Sequence, residues 1–318
     1  MTIKTVVTMA YQEEIKTSLS ELNKIILGKE QQVQLALSCI LANGHLLVED
    51  LPGMGKTTLA HALSKILGLD YNRVQFTSDL LPADLIGASV FDPKSASFSF
   101  HPGPVFSSVF LADELNRATP KAQSALLEAM EEGQVSVDGE THNLPKPFFV
   151  IATQNPQSQS GTFPLPESQL DRFMLRISLG YPNEAVEREL LLGEKGRVAL
   201  DKVLQVLNKE KLQALQEAVL DVSVSDTLLD YVQRLIAQTR QDDLCYLGLS
   251  PRGAMALIKS AKSWAFLQGR GHVLPEDIQA VFVAVVGHRI VGRKETQGDQ
   301  LARHILHSVD AIGETLRA

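Results

Sequence analysis

The chain has 318 residues, of which 44% are hydrophobic and 21% are charged, and it carries a net charge of −7 with a pI near 5.7. This length suffices for one large domain and a smaller second domain, each with its own core. The acidic balance gives no overall attraction to nucleic acid or to an anionic bilayer, so neither is expected as a partner. The longest apolar run, AVFVAVV at 280–286, is far shorter than the roughly 20 residues that a membrane-spanning helix needs.

The N-terminal sequence and the cysteines indicate a cytoplasmic protein. MTIKTVVTMAYQEE has no long apolar stretch and becomes acidic early, which is not typical of a secretory signal, and no direct membrane insertion is expected. Cys39 and Cys245 lack CxxC or metal-ligand spacing, so they are predicted to be reduced thiols in the core.

Short apolar segments alternate with helical patterns through the first 182 residues. In chain order, the predicted elements are the strand HLLVED (45–50), the helix KTTLAHALSKILG (56–68), the strands RVQFT (73–77) and VFLADE (109–114), the helix TPKAQSALLEAMEEG (119–133), and the strands FFVIATQN (148–155) and MLRISLG (174–180). This order predicts an α/β fold with a parallel sheet. Beyond Pro182 the strand patterns stop, and 183–318 is predicted to be a smaller, all-helical domain after an α/β domain at 1–182.

Two segments interrupt the alternation and are predicted to project from the core. GASVFDPKSASFSFHPGP (87–104) alternates apolar and polar residues around a polar turn, which favours an inserted hairpin or loop. GQVSVDGETHNLP (133–145) carries Asp138-Gly139 between two strand-like stretches, a strong hairpin signal.

The segment EDLPGMGKTT (49–58) joins a predicted strand to a predicted helix and resembles a phosphate-binding loop. The pattern Gly-x4-Gly-Lys-Ser/Thr is only half met, because Asp50 stands where the first glycine belongs. We expect Asp50 to point away from the anion, Lys56 to reach the terminal phosphates of a bound polyphosphate, and Thr57 to bind Mg²⁺. The predicted nucleotide-binding residues here are Pro52, Gly53, Met54, Gly55, Lys56, Thr57 and Thr58. The alternative is a glycine-rich turn without a ligand.

Two further strands end in polar residues at the edge where parallel sheets bind ligands. In VFLADE, Asp113 is predicted to hold Mg²⁺ through its water shell and Glu114 to polarise the attacking water. The alternative for this pair is a helix N-cap and a surface charge. Asn155, which ends FFVIATQN, could bind the γ-phosphate or the water, or it could be an ordinary turn residue.

Together, the segments DLPGMGKTT, VFLADELNRATPKAQSALLEAM, FFVIATQNP, FPLPESQLDRF and LSPRGA resemble the MoxR group of AAA+ ATPases, from about Ile26 to His288. The resemblance implies a P-loop AAA+ core with a five-stranded sheet, a helical lid, and a homo-oligomeric ring, usually a hexamer, with ATP between neighbours. It also implies chaperone-like remodelling of partners that carry von Willebrand factor A domains, often to mature metal-dependent complexes.

The same resemblance assigns roles to individual residues. It implies Walker A roles for Lys56 and Thr57, Walker B roles for Asp113 and Glu114, and the sensor 1 role for Asn155. Further implied roles are an arginine finger at Arg172, sensor 2 in cis or in trans at Arg252, adenine contacts at Ile26, Leu27 and Gly28, and pore-lining or partner-facing positions for the two hairpins. Without the family, Arg172 could equally be a surface partner of Asp171 or Glu167, and Arg252 could be solvated.

Three functions are therefore compared. The favoured one is a MoxR-type ATPase that remodels protein complexes. A magnesium-chelatase-like ATPase subunit would share nearly all of these residues. A nucleotide-gated binding module with negligible turnover is the alternative from another class, and the presence of both Glu114 and Arg172 speaks against it.

Overall fold

The computed structural model describes residues 11–94, 96–155, 161–191, 203–241, 243–293 and 297–311. The strands are β1 (Leu46–Glu49), β2 (Tyr71–Gln75), β3 (Gly87–Asp92), β4 (Ser97–Pro102), β5 (Val109–Asp113), β6 (Gln134–Val137), β7 (Glu140–Asn143), β8 (Phe149–Gln154), β9 (Leu175–Ile177), β10 (Cys245–Leu247) and β11 (Val291–Gly292). The α-helices are α1 (Gln12–Ile25), α2 (Glu30–Leu41), α3 (Lys56–Ile66), α4 (Pro82–Ile86), α5 (Pro120–Glu132), α6 (Glu167–Leu170), α7 (Glu184–Leu191), α8 (Lys209–Leu220), α9 (Asp226–Thr239), α10 (Pro251–Leu267), α11 (Pro275–Val286) and α12 (Gly298–Ser308).

A five-stranded parallel sheet in the order β2-β5-β8-β1-β9 forms the centre of the first part of the chain. The predicted α/β fold is confirmed. The middle strands β5 and β8 are buried at every residue, as their continuous apolar sequences require. Side chains alternate between two cores: Leu46 and Val48 pack with α1 to α3, whereas Leu47 packs on the α5 side.

Strands β2 and β9 differ from the prediction by two or more residues, and the other predicted strands agree to within one residue at each end. Strand β2 begins at Tyr71, two residues before the predicted start, because its ladder begins where Tyr71 pairs with Val109. Strand β9 ends at Ile177 rather than at residue 180. The reason is that the backbone N–H groups of Leu179 and Gly180 donate to the carboxylate of Asp50 instead of continuing the sheet.

The two principal helices of this part begin and end as predicted, to within two residues. Helix α3 starts directly after Gly55, whose φ of 89° is in the left-handed region. Helix α5 has Pro120 at its first position and is ended by Gly133 at φ 63°.

The second part of the chain is mainly helical, but the expectation that it lacks strands was wrong in one detail. Strands β10 and β11 pair antiparallel, because the connections before α10 and before α12 run side by side. Helix α10 packs on α11 and on α2, and the Ser263 hydroxyl donates to the carbonyl of Ser38 at 2.8 Å. These helices share a continuous apolar core with one face of the sheet.

The segments 87–104 and 133–145 form the two-stranded antiparallel hairpins β3-β4 and β6-β7, outside the central sheet. Asp138 and Gly139 form the turn of the second hairpin with φ of 51° and 86°. The rings of Phe100 and His142 stack between the hairpins, with centroids 3.8 Å apart and planes 9° apart. None of the helices in the described ranges is both long and apolar enough to cross a bilayer.

Candidate active site

The segment between β1 and α3 is a loop that leaves room for an anion. Gly53 and Gly55 have φ of 85° and 89°, and a Cβ at either position would meet no atom within 4 Å. Residues with side chains adopt this backbone only at a cost, so the two glycines permit the tight turn by which phosphate loops present backbone N–H groups to an anion. The first turn of α3 adds its own unpaired N–H groups and the positive end of the helix dipole.

Asp50, the departure from the P-loop pattern, is directed away from this loop. Its buried carboxylate accepts hydrogen bonds from the N–H groups of Leu179 and Gly180, the latter at 3.1 Å, and from the Ser178 hydroxyl at 3.1 Å. The acidic side chain therefore joins the end of β1 to the segment after β9, and it does not repel a bound phosphate from within the loop.

Lys56 lies at the start of α3 with 7% of its surface exposed. Its Nζ donates to the carbonyl of Leu51 at 3.1 Å, to the carbonyl of Asp50, and to Oδ1 of Asn155 at 3.2 Å. Burial lowers the pKa of Lys56, although nearby carboxylates act in the opposite direction. The ammonium group is thus held between the loop and the end of β8.

Asp113 ends β5 and is buried. Its carboxylate has two hydrogen-bonding partners that the sequence did not predict. Oδ1 accepts from the Thr153 hydroxyl at 2.6 Å. Oδ2 accepts from Arg73 of β2, with Nη2 at 2.6 Å and Nε at 3.1 Å. Arg73 lies two residues before the partner of Asp113 in the sheet, and therefore on the same face. A charged residue inside the short strand pattern RVQFT is the signal that could have identified it.

Glu114 follows Asp113 in a left-handed conformation at φ 57°. This conformation is uncommon outside glycine, and its cost indicates that the surrounding contacts fix the residue. The Oε1 atom accepts from Nδ2 of Asn155 at 3.1 Å. The Oε2 atom accepts from Nε2 of Gln75 at 2.8 Å and pairs with Arg117 Nε at 2.9 Å. The predicted residues Lys56, Asn155 and Glu114 are therefore in direct contact.

The residues present fit a magnesium nucleotide. The glycine turn and the start of α3 supply N–H donors, and Lys56 supplies a cation next to them. Thr57, half-buried in the first turn of α3, and Asp113 offer the hydroxyl and carboxylate oxygens that Mg²⁺ prefers. Thr58 is also half-buried there, Pro52 is exposed, and Met54 is half-buried within the loop.

Arg172 and Arg252 lie together, but away from the loop. Arg172 Nη1 donates to the carbonyl of Leu127 at 2.7 Å and lies 2.5 Å from Oε2 of Glu131, while Arg252 pairs with Oε1 of Glu131. The interpretation of Arg172 as a surface partner of Asp171 or Glu167 is therefore wrong, because Arg172 pairs with Glu131, and Asp171 pairs with Arg289. Arg252 is exposed, but it is ion-paired rather than simply solvated.

The sheet explains why Arg172 is far from the loop. Leu175, the first residue of β9, pairs with Leu46, the first residue of β1. Arg172 precedes β9, so it lies at the amino end of these strands, whereas the loop follows their carboxyl ends. Four residues of strand span roughly 13 Å, more than an arginine side chain can cross.

The proposed adenine segment lies close to the start of α7. Ile26 is buried, Leu27 is half-buried and Gly28 is exposed. A Cβ at Gly28 would lie 3.1 Å from Cγ2 of Val186. The segment thus lies between α1 and the chain after the sheet, and the adenine contact there stays a prediction.

Sequence profiles identify the class of protein. Residues 45–175 match the profile described as the ATPase family associated with various cellular activities (AAA), and residues 237–309 match an AAA lid domain. The chain is therefore an AAA-type ATPase family protein with a nucleotide-binding domain and a lid.

Whole-chain relatives narrow this class. The chain is 37% identical to Chaperone MoxR1 of Mycobacterium tuberculosis, over 92% of this chain and 79% of that protein. It is 42% identical to the uncharacterised protein YeaC of Bacillus subtilis, over 95% and 97% of the two chains. The crystal structure of a candidate ATPase from Cytophaga hutchinsonii is similar with a TM-score of 0.85 and 36% identity, over 96% of each chain. The chain belongs to the MoxR group of AAA+ ATPases.

Proposed function

We propose that this protein hydrolyses ATP, and that hydrolysis drives the remodelling or maturation of partner protein complexes. The observation that carries the proposal is the contact series from Lys56 through Asn155 to Glu114, at the carboxyl ends of three neighbouring strands. A terminal phosphate beside Lys56 would lie next to the amide and the carboxylate that hydrolysis needs.

Each side chain has a distinct role in this reaction. Bound Mg²⁺ would neutralise charge on the phosphate oxygens. Thr57 and Asp113 would hold that ion, while Lys56 and the N–H groups of the loop bind the phosphates. Glu114 orients and polarises the attacking water. Asn155 contacts both Lys56 and Glu114, so it can relay the presence of the terminal phosphate to the carboxylate.

The position of the arginines supports a site completed by a second subunit. Arg172 and Arg252 share the carboxylate of Glu131 at the amino end of the sheet, and so neither is placed to reach the loop of its own chain. Both would act in trans, on ATP bound by a neighbour. A closed ring, a hexamer by resemblance to the family, would repeat this contact around an axis.

The hairpins supply a surface for a partner protein. Phe91 and Phe98 of β3-β4 are 50% and 73% exposed, with ring centroids 5.3 Å apart. Exposed aromatic side chains on an insertion favour protein binding, since water is released from apolar surface. The proposed partner carries a von Willebrand factor A domain. The proposed outcome is the maturation of a complex in the cytoplasm, by metal or cofactor insertion among other changes.

Steady-state phosphate release tests the proposed hydrolysis. Activity should rise more steeply than in proportion to protein concentration, because assembly brings the arginines to the neighbouring site. A protein that binds ATP but releases no phosphate at any concentration would instead be a nucleotide-gated binding module.

Capture by the Glu114→Gln variant tests the proposed partner. Immobilised with ATP, this variant should retain a protein with a von Willebrand factor A domain, and the double change Phe91→Ser with Phe98→Ser should abolish retention. Tyr246, 77% exposed on β10, provides the matched control Tyr246→Ser. Retention that is indifferent to nucleotide or to both phenylalanines would contradict the proposal. ATP-dependent binding of magnesium-chelatase subunits in place of this partner would favour the chelatase alternative.

A further inference from the structure

A buried arginine of the lid with many hydrogen bonds lies outside the site described above. Arg289, which follows α11, has only 5% of its surface exposed. Its Nε lies 2.6 Å from Oδ1 of Asp171. Its Nη2 donates to the carbonyls of Asp171 at 3.1 Å and Phe173 at 2.6 Å, and its Nη1 donates to that of Met174 at 3.1 Å. One lid residue thus holds the segment that contains Arg172.

The second carboxylate oxygen of Asp171 binds the start of α10, the helix that carries Arg252. Oδ2 accepts from the Ser250 hydroxyl at 2.9 Å, and the same hydroxyl caps α10 by accepting from the N–H of Gly253. A Cβ at Gly253 would lie 2.9 Å from Cδ of Arg289, so the first turn of α10 packs directly against the arginine. Arg252 is in this turn.

We propose that the Arg289–Asp171 pair positions Arg172 and Arg252 as one unit for the ATP site of the neighbouring subunit. Asp171 precedes Arg172 directly, and Ser250 lies two residues before Arg252. A movement of the lid that preserves the contacts of Arg289 and Asp171 displaces both arginines together. The position of a subunit's lid thereby controls how its Arg172 and Arg252 are presented to the ATP site of the neighbour. This inference rests on the proposed action of both arginines in trans.

Asp171→Asn is the central variant. Asparagine keeps the shape and one acceptor, but it leaves Arg289 without a counter-ion. We expect kcat to fall about 10- to 100-fold, the range for small misplacements of catalytic groups, while the KM for ATP stays unchanged. Arg289→Lys should give an intermediate loss, because lysine keeps the charge without the planar arrangement of donors.

The lid provides a matched control for simple loss of stability. The half-buried Arg270 and the buried Asp277 form a second ion pair of the lid, with both carboxylate oxygens bonded at 2.5 Å, away from Arg172 and Arg252. Asp277→Asn should lower the melting temperature as Asp171→Asn does, but it should leave kcat near that of the wild type. Equal losses of kcat in both variants would overturn the proposal.

Mixed assemblies separate this inference from the proposed function. A chain with Lys56→Ala has no working site but presents intact arginines, and it should restore hydrolysis at the loop of an Arg172→Ala chain. It should restore an Asp171→Asn chain equally. If Arg172→Ala is rescued and Asp171→Asn is not, the positioning role is wrong while the trans arginine stands. If co-assembled Arg172→Ala is not rescued, both ideas fail.

Discussion

Arg73 and Asp113 form an ion pair across neighbouring strands, with Nη2 2.6 Å from Oδ2. The pair places a positive charge beside the carboxylate expected to hold Mg²⁺. We expect Arg73→Gln to lower the Mg²⁺ concentration needed for half-maximal binding of a fluorescent ADP analogue, roughly two- to fivefold for this partly exposed charge. The exposed Arg303 of α12 gives the control Arg303→Gln. A higher Mg²⁺ requirement would mean that Arg73 instead holds Asp113 in place for the ion.

Lys56→Ala should abolish binding of ATP at concentrations that saturate the wild type. The variant loses the cation nearest to the predicted phosphates, and it removes the donor to Leu51 and Asn155. Titration with a fluorescent ATP analogue measures the effect, and Lys259→Ala on the exposed face of α10 serves as control. Affinity close to that of the wild type would reject the phosphate-loop assignment.

Glu114→Gln should bind ATP tightly without turning it over. Glutamine keeps the shape and one partner of the glutamate, yet it cannot polarise water as a carboxylate does. Single-turnover hydrolysis and retention of nucleotide on a desalting column distinguish binding from chemistry. Glu128→Gln, at an exposed position of α5, should behave as the wild type. Normal hydrolysis by Glu114→Gln would place the catalytic base elsewhere.

Arg172→Ala should leave ATP binding intact and reduce hydrolysis by about 10³-fold or more, as for other arginine fingers. The double variant Arg172→Ala with Arg252→Ala should lose less activity than the product of the two single fold-losses, because both arginines are proposed to serve one site. Phosphate release and nucleotide titration on the four proteins measure both effects. Losses that multiply fully would indicate two independent sites.

His45 predicts how stability depends on pH. Its Nδ1 accepts from the N–H of Val150 at 2.9 Å and its Nε2 faces the carbonyl of Met130, an arrangement that requires a neutral ring. Burial lowers its pKa to about 4 from 6.5. In the unfolded chain His45 binds a proton below pH 6.5, whereas in the folded chain it does so only below about pH 4. Stability is therefore lost as the pH falls through this window. Above pH 6.5 this group contributes no pH dependence.

The variant His45→Gln tests this assignment, since an amide can accept from Val150 and donate to Met130. The measurement is the free energy of unfolding from urea titrations between about pH 7.5 and 5, a range that brackets the ordinary pKa of histidine. For His45→Gln this free energy should fall less steeply with decreasing pH than for the wild type. Some slope will remain, because burial also lowers the pKa of His288. His304→Gln on the exposed face of α12 should keep the full slope.

The sequence allowed the sheet, its ligand-binding edge and the residues there to be predicted, because each is encoded locally. Apolar runs such as VFLADE end in the polar residues that the parallel arrangement brings to one edge. The partners of these residues could not be predicted, since Arg73 meets Asp113 only through the pairing of β2 with β5. Likewise, Glu131 is separated from Arg252 by 121 positions, and only the docking of the lid brings them together.

Helix α5 has a mechanical consequence. It begins shortly after Glu114, ends with Glu131 and Glu132, and continues directly into the β6-β7 hairpin. At about 1.5 Å per residue, its 13 residues make a rigid spacer roughly 20 Å long. Because the helix moves as a rigid body, a change in the turn after β5 can shift the Glu131 carboxylate that pairs with Arg172 and Arg252. Helix α5 alone thus sets the distance between Glu114, in the subunit's own nucleotide site, and the arginines that the subunit is proposed to supply to its neighbour.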